Sequence, residues 1–328
     1  MMNRRRVLLC CIAPWLLAGA TSVGAQTAAR LPRVVMVLGG REETYAAFKE
    51  SFLDGLRRAG QVEGRTVQLD VRYGHGDPAR TRSLIRESIA ESPAVLVVAG
   101  LIAARDARDA TTTVPIVVAT GSDLVDAGLV KSHARPGGNI TGVSDLTDEA
   151  AVKRLELLKA ALPNASRVVF LGDPEFPALP KIEARVRSAA LSLGITVTSL
   201  YAKDRSSLAE ALDALRKSPP DALFATDSLA VQHANELIER ATVLRVPVVH
   251  FWPGTAEQGA LLSYQADIRD NYRRAAGYVD KVLRGAKPGD LPIFQPTRYT
   301  LIVNVRVARA LGLTTPQSLL LRADQVIQ

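Results

Sequence analysis

Residues able to do covalent or metal chemistry are few in this chain, and they are scattered. The four histidines, His75, His133, His233 and His250, lie far apart, with no i, i+4 pair and no acidic partner at ligand spacing, so no metal site is expected. No G-x-S-x-G, P-loop or HExxH segment occurs. GHGDPA at 74–79 matches the dinucleotide fingerprint in form only. It follows the second apolar run instead of the first, and Pro78 suits the first helical position with Asp77 as its N-cap. Asp204, Asp213, Glu236 and Glu239 read as caps or solvated helix faces. Cys10 and Cys11 both sit in the N-terminal apolar run, so the remainder of the chain holds no thiol for a disulfide, a nucleophile or a metal. Neither an enzyme nor a cofactor is expected.

Groups suited to holding a small molecule are more regularly placed, because they follow short apolar runs. In the first half these are Gly39, Gly40 and Arg41, then Gly100, Leu101 and Ile102, then Thr120, Gly121, Ser122 and Asp123. In the second half they are Gly172, Asp173, Pro174, Glu175 and Phe176, then Thr226, Asp227 and Ser228, then Phe251, Trp252 and Pro253. Glycines let backbone amides approach a ligand, hydroxyls and amides suit a carboxylate, and an aspartate suits an ammonium group. Trp252 and Tyr264 are candidates for stacking on a flat ligand, whereas Phe251 reads as core. The same residue types also make ordinary turns and N-caps.

The elements that position these residues form a repeating pattern. Val- and Ile-rich runs at 33–38, 66–73, 95–98, 115–119 and 140–143 alternate with amphipathic stretches at 44–59, 78–90 and 103–111. That alternation marks βαβ units and a parallel sheet. The order then starts again. RVVFLGD from Arg167 echoes RVVMVLGG from Arg33, 134 residues earlier, and VPVVHFW from Val246 echoes VPIVVAT from Val114, 132 residues earlier. Between them ITVTSLY echoes TVQLDVRY and ALFATDS echoes AVLVVAG. A helix at 146–161 would carry the chain across to the second copy, and ALLSYQAD with a helix at 268–284 would carry it back. The expected fold is α/β, two similar doubly wound parallel-sheet lobes joined by a hinge. The first lobe is expected to comprise residues 31–144 plus 266–295 and the second 145–265 plus 296–328. In open parallel sheets ligands bind beyond the carboxyl ends of the strands, where the candidate residues lie.

With 328 residues, 47% of them hydrophobic and 23% charged, the chain is neither disordered nor fibrous and has about two domains' worth of length. Arg4, Arg5 and Arg6, the apolar run 7–20, and the small residues Val23 and Ala25 before Gln26 form the three parts of an export signal. Cleavage is expected after Ala25, placing the protein in the periplasm. NRRRVLL also fits a loose twin-arginine pattern, so the export route stays open. Loss of the three arginines lowers the formal charge from +8 to +5. The remaining basic residues are spread beside acids along helices, so nucleic acid is not an expected partner.

FKESFLDGLRRAGQVEGRTVQLDVRYGHGD, ATTTVPIVVA, DAGLVKSHARPGGNITG and the C-terminal stretch from LLSYQAD to ADQVI together resemble ABC-type substrate-binding proteins, in the family that includes tryptophan-binding members. RPGGNITG and GAKPGDLPIFQPT are the specific segments. The resemblance implies a type I periplasmic-binding fold with a three-stranded hinge that closes on a small-molecule ligand and delivers it to an ABC-type membrane permease. The chain is expected to act as a monomer. Asp123-Leu124, Gln265 and Trp252 to Thr255 depart from the family's common pattern, so the ligand stays open among amino acids and other aromatic or carboxylate-bearing molecules. A ligand-sensing module that presents its bound form to a membrane signalling partner is the alternative.

Overall fold

The computed structural model describes residues 30–145, 147–226 and 228–328, without the side chain of Ser228. The export signal therefore lies outside the described residues, as does Asp227.

The chain runs β1 (Arg33–Leu38), α1 (Glu42–Arg58), β2 (Gln68–Tyr73), α2 (Pro78–Ala90), β3 (Val95–Ala99), α3 (Leu101–Ala110), β4 (Ile116–Thr120), β5 (Ile140–Gly142) and α4 (Thr147–Ala161). It continues with β6 (Arg167–Gly172), α5 (Leu179–Ser192), β7 (Thr196–Tyr201), α6 (Arg205–Ala214), β8 (Ala222–Ala225), α7 (Ser228–Gln232), α8 (Ala234–Val243), β9 (Val248–His250), α9 (Pro253–Gln258) and β10 (Leu262–Ala266). The last elements are α10 (Ile268–Leu283), a 3-10 turn at Pro288–Asp290, β11 (Tyr299–Asn304), α11 (Val305–Ala310), α12 (Gln317–Leu320) and β12 (Gln325–Ile327).

Two sheets form. The first has the order β2-β1-β3-β4-β5 and the second β12-β11-β10-β9-β8-β6-β7. Strands six to ten thus repeat the arrangement of strands one to five, and each of the four echoed sequence pairs occupies the same place in its sheet. The register repeats too, with Arg33 opposite Gln68 in one sheet and Arg167 opposite Thr196 in the other. All strand pairs within the repeat are parallel. The second sheet is extended by β11, antiparallel to β10, and by β12. Central strands such as β3 and β8 are buried along their whole length, as expected of parallel strands covered on both faces.

Each sheet borrows a helix that follows the other's last parallel strand. α4 follows β5 of the first sheet, yet its Leu155, Leu157 and Leu158 pack with Phe170, Phe224 and Val249 of the second. α10 follows β10 of the second sheet, yet its Ile268, Tyr272, Ala275 and Val279 pack with Val34, Met36, Phe52 and Leu56 of the first. The chain crosses a third time before β11. At that crossing RPGGNITG and GAKPGDLPIFQPT lie against each other. Gly137 N donates to Gly289 O at 3.0 Å, Thr141 Oγ1 to Leu291 O at 2.9 Å, Phe294 N to Gly142 O at 2.9 Å and Ser144 N to Phe294 O at 2.9 Å. Gly142 has φ +128, and a Cβ there would lie 2.2 Å from Val118 O, so only glycine lets β5 lie this close to β4.

Among the described residues no helix is long and apolar enough to cross a membrane.

Candidate functional site

The carboxyl ends of the two sheets face each other, and side chains from both meet across the gap. On α1 of the first lobe, Tyr45 and Phe48 present their rings to Trp252, the N-cap of α9 in the second. The centroids are 6.3 Å apart for Tyr45 and 5.1 Å for Phe48, both edge-on. Phe48 also stacks on Tyr272 at 5.5 Å, and Phe251 meets Trp252 edge-on at 6.3 Å. Phe176 and Ala178, at the start of α5, pack against the cores of both lobes. Lys181 pairs with Asp126 of the first lobe and with Asp148 at 3.2 Å, and Arg185 joins Asp148 at 3.0 Å. Leu101, Arg105, Ser122, Asp123, Asp148 and Lys181 contribute to the lining of a cavity of about 340 Å³ between the lobes.

Where the chain first crosses, Asp145 is almost completely buried. Its carboxylate accepts from Thr120 Oγ1 at 2.5 Å, Gly121 N at 3.2 Å and Asn271 Nδ2 at 2.8 Å. These neutral donors do not offset the loss of water, and burial pushes its pKa up to about 6. Arg154 on α4 is fully buried, with its pKa lowered to about 9 by burial. His250, at the end of β9, accepts from Trp252 N through Nδ1 at 3.0 Å, which leaves the proton on Nε2. Burial first, and Arg154 second, bring its pKa down to about 3, so it is neutral.

The residues singled out from sequence take varied places. Gly39 O and Gly40 O accept from Gly76 N and His75 N at 2.8 and 3.1 Å, and the Tyr45 ring lies directly over Gly40. Gly100 is the N-cap of α3 with φ 92, a conformation that favours glycine, and Leu101 is buried behind it. The hydroxyl of Thr120 is directed to Asp145. Asp123 closes its own turn, accepting from Val125 N at 2.8 Å and meeting His133 Nε2 at 3.1 Å. Asp173 likewise accepts from Glu175 N at 2.8 Å, and burial raises its pKa. Thr226 is buried with Oγ1 unpartnered. Ser228 opens α7. Tyr264 stacks on Tyr299 at 5.4 Å and packs against the second lobe's core. Leu101, Ser122 and Asp123 therefore share the cavity, and Trp252 belongs to the aromatic contact between lobes. Sequence reasoning missed Tyr45, Phe48, Asp145, Arg154, Lys181 and Asn271, because apart from Tyr264 it considered the residues that follow strands and not those on helices or at the crossings.

A family model described as ABC transporter substrate binding protein matches residues 40–327. The chain belongs to this family. It is 25% identical over 272 residues to a tyrosine-binding protein of Clostridioides difficile (strain R20291), covering 81% of this chain and 76% of that one. Among solved structures, a conserved domain protein from Vibrio cholerae matches with a TM-score of 0.85 and 28% identity, covering 90% of this chain and all of the other. An ABC domain from Streptococcus pneumonia in complex with L-Trp matches with a TM-score of 0.85 and 25% identity, covering 91% of this chain and all of the other. The two α/β lobes are those of the type I periplasmic-binding fold. Within this family of solute-binding proteins the groups between the lobes read as binding groups: rings, hydroxyls and buried charges of both signs.

Proposed function

We propose that this protein binds an L-amino acid with an aromatic side chain in the cleft between its lobes, and hands it to an ABC-type membrane permease for uptake. The observation that carries this reading is the set of rings contributed by both lobes, Tyr45, Phe48 and Tyr272 from one and Phe251 and Trp252 from the other. Aromatic faces and edges bind a flat apolar group through burial and quadrupole contacts. Relatives that bind tyrosine and L-Trp support the same class of ligand. Gly100, Leu101, Ser122 and Asp123 from the first lobe and Asp173, Phe176, Thr226, Asp227, Ser228, Trp252 and Tyr264 from the second remain the proposed ligand-facing set. Gly39, Gly40 and Thr120 would act behind them, through the turn at 74–76 and through Asp145.

The N-terminal 25 residues fit a cleaved export signal, so the binding form begins at Gln26 in the periplasm, as a monomer. N-terminal sequencing of the exported form tests the cleavage site. Calorimetry with L-tryptophan and L-tyrosine tests the ligand class: saturable binding of either supports it, and binding of neither removes the aromatic assignment. X-ray scattering with and without the bound amino acid tests whether the lobes close on it.

A further inference from the structure

Arg154 is 0% exposed on α4, where a guanidinium ordinarily faces a carboxylate. Here Nη1 donates to the backbone carbonyl of Tyr264 at 3.2 Å, while Nε and Nη2 have no hydrogen-bond partner. Its Cζ lies 5.0 Å from the ring centroid of Phe224 and 5.8 Å from that of Phe251. Ring faces attract a cation but offer no acceptor oxygens. Burial lowers its pKa to about 9, which leaves it charged at neutral pH, and among the described residues no carboxylate is hydrogen-bonded to it. A full positive charge is thus enclosed in the second lobe with two donor nitrogens open.

The direction of those donors is set by the fold. Side chains on a helix lean toward its N-terminus, which for α4 is the end at the crossing between lobes. Phe251, against which the guanidinium rests, precedes Trp252, the residue that meets the first lobe's rings. Thr226, whose Oγ1 is buried and also unpartnered, follows the last residue of β8, two positions beyond Phe224. The unpartnered donors of Arg154 and Thr226 are both buried in the second lobe, beside residues that lead into Trp252 and the end of β8.

We propose that Arg154, with Thr226, seats the carboxylate of the bound ligand. The proposal rests on the reading of the ligand as an amino acid and names the group that recognises its acid end. A carboxylate supplies two acceptor oxygens in the plane of the guanidinium fork, together with the missing counter-charge, and the threonine hydroxyl adds a third donor. Truncating Arg154 gives up one hydrogen bond to Tyr264 O and two ring contacts but also removes a buried charge, and replacing a buried charge by an apolar side chain of similar volume is often neutral or stabilising.

The test compares wild type with Arg154→Met and Arg154→Lys, using L-tryptophan and L-tyrosine alongside tryptamine and tyramine, which lack the carboxylate. Wild type should bind the amino acids about 100-fold or more tighter than the amines. Arg154→Met should lose that preference, with amine affinity equal to or above that of wild type because a like charge is removed, and its ligand-free melting temperature should equal or exceed that of wild type. Arg154→Lys should fall between, keeping the charge without the fork. Amino-acid affinity in Arg154→Met equal to that of wild type would overturn the proposal, and so would a ligand-free melting temperature well below wild type. If wild type binds none of the four compounds, the ligand class is wrong, and Arg154 is then judged by melting in acetate and benzoate against chloride at matched ionic strength. Stabilisation by the carboxylates in wild type that Arg154→Met lacks would keep the seat, and equal responses in both would remove it.

Discussion

The ring of Phe48 on α1 lies 5.1 Å from the indole of Trp252, at an interplanar angle of 67°, and joins helices that belong to different lobes. This contact, with Tyr45 beside it, exists only while the lobes are together. Edge-on aromatic pairs are worth about 0.5–1.5 kcal/mol beyond the area they bury.

Phe48→Ala should therefore weaken ligand affinity by roughly 3- to 10-fold, through loss of the closed form. Trp252 is the single tryptophan of a chain that begins at Gln26, so its emission reports the contact directly. The variant should emit at longer wavelength than wild type in the presence of saturating L-tyrosine, with excitation where tyrosine does not absorb. Unchanged emission and affinity would mean that the two rings do not meet when ligand is bound.

Asp145 gives a pH dependence of defined sign. Its folded pKa of about 6 lies above the ordinary 3.8, so the native chain holds this proton more tightly than the unfolded chain. The resulting stabilisation is complete below pH 3.8, declines as pH rises and is gone above about 6. The difference of about two pH units corresponds to up to about 3 kcal/mol. Asp145→Asn should flatten that part of the stability profile and be at least as stable as wild type at neutral pH. The new amide donates to Asn271 Oδ1, which lacks a partner in the wild type, once the Asn271 amide turns over. Urea unfolding of both proteins at pH 4.5 and 7.5 checks this. A large loss of stability in Asp145→Asn at pH 7.5 would show instead that the ionised carboxylate holds the crossing together.

Lys181 links α5 to Asp126 of the first lobe, yet its side chain is 45% exposed. An ion pair of that exposure contributes at most about 1 kcal/mol and is screened by salt. Lys181→Met should reduce affinity by less than about 5-fold at low ionic strength, with the difference vanishing near about 0.5 M salt. Calorimetric titrations at the two salt concentrations measure it. A salt-independent loss would mean that the ammonium acts through Asp148, whose side chain is only 10% exposed, where salt screens little.

The duplicated architecture was legible because its signals are local. Each echoed run, such as RVVMVLGG and RVVFLGD, is an apolar strand ended by glycine, and backbone pairing alone places the two in equivalent positions. β11 and β12 were not legible. They follow no βα alternation, and β11 pairs antiparallel through contacts distant in sequence. Of the strand ends singled out in the sequence, Ser122 lines the cavity and Trp252 meets the rings of the first lobe, but nothing local shows that Thr120 turns to Asp145 or that Asp123 closes its own turn. Tyr45 and Phe48 were hidden in REETYAAFKE, which reads as a solvated helix until a second lobe is brought against it. Arg154 did leave a signal. It lies three residues after Ala151 and four before Leu158, on the apolar stripe of α4, where a charge has no solvent to face.

The most direct measurement is calorimetry of the Gln26–Gln328 chain, unfolded and refolded to remove any carried ligand, against a panel of L-amino acids. One saturable site per chain is expected, filled by L-tryptophan or L-tyrosine and weakened in Trp252→Ala by about 1–3 kcal/mol. Heat of dilution alone from every amino acid, in protein that unfolds cooperatively, would contradict it.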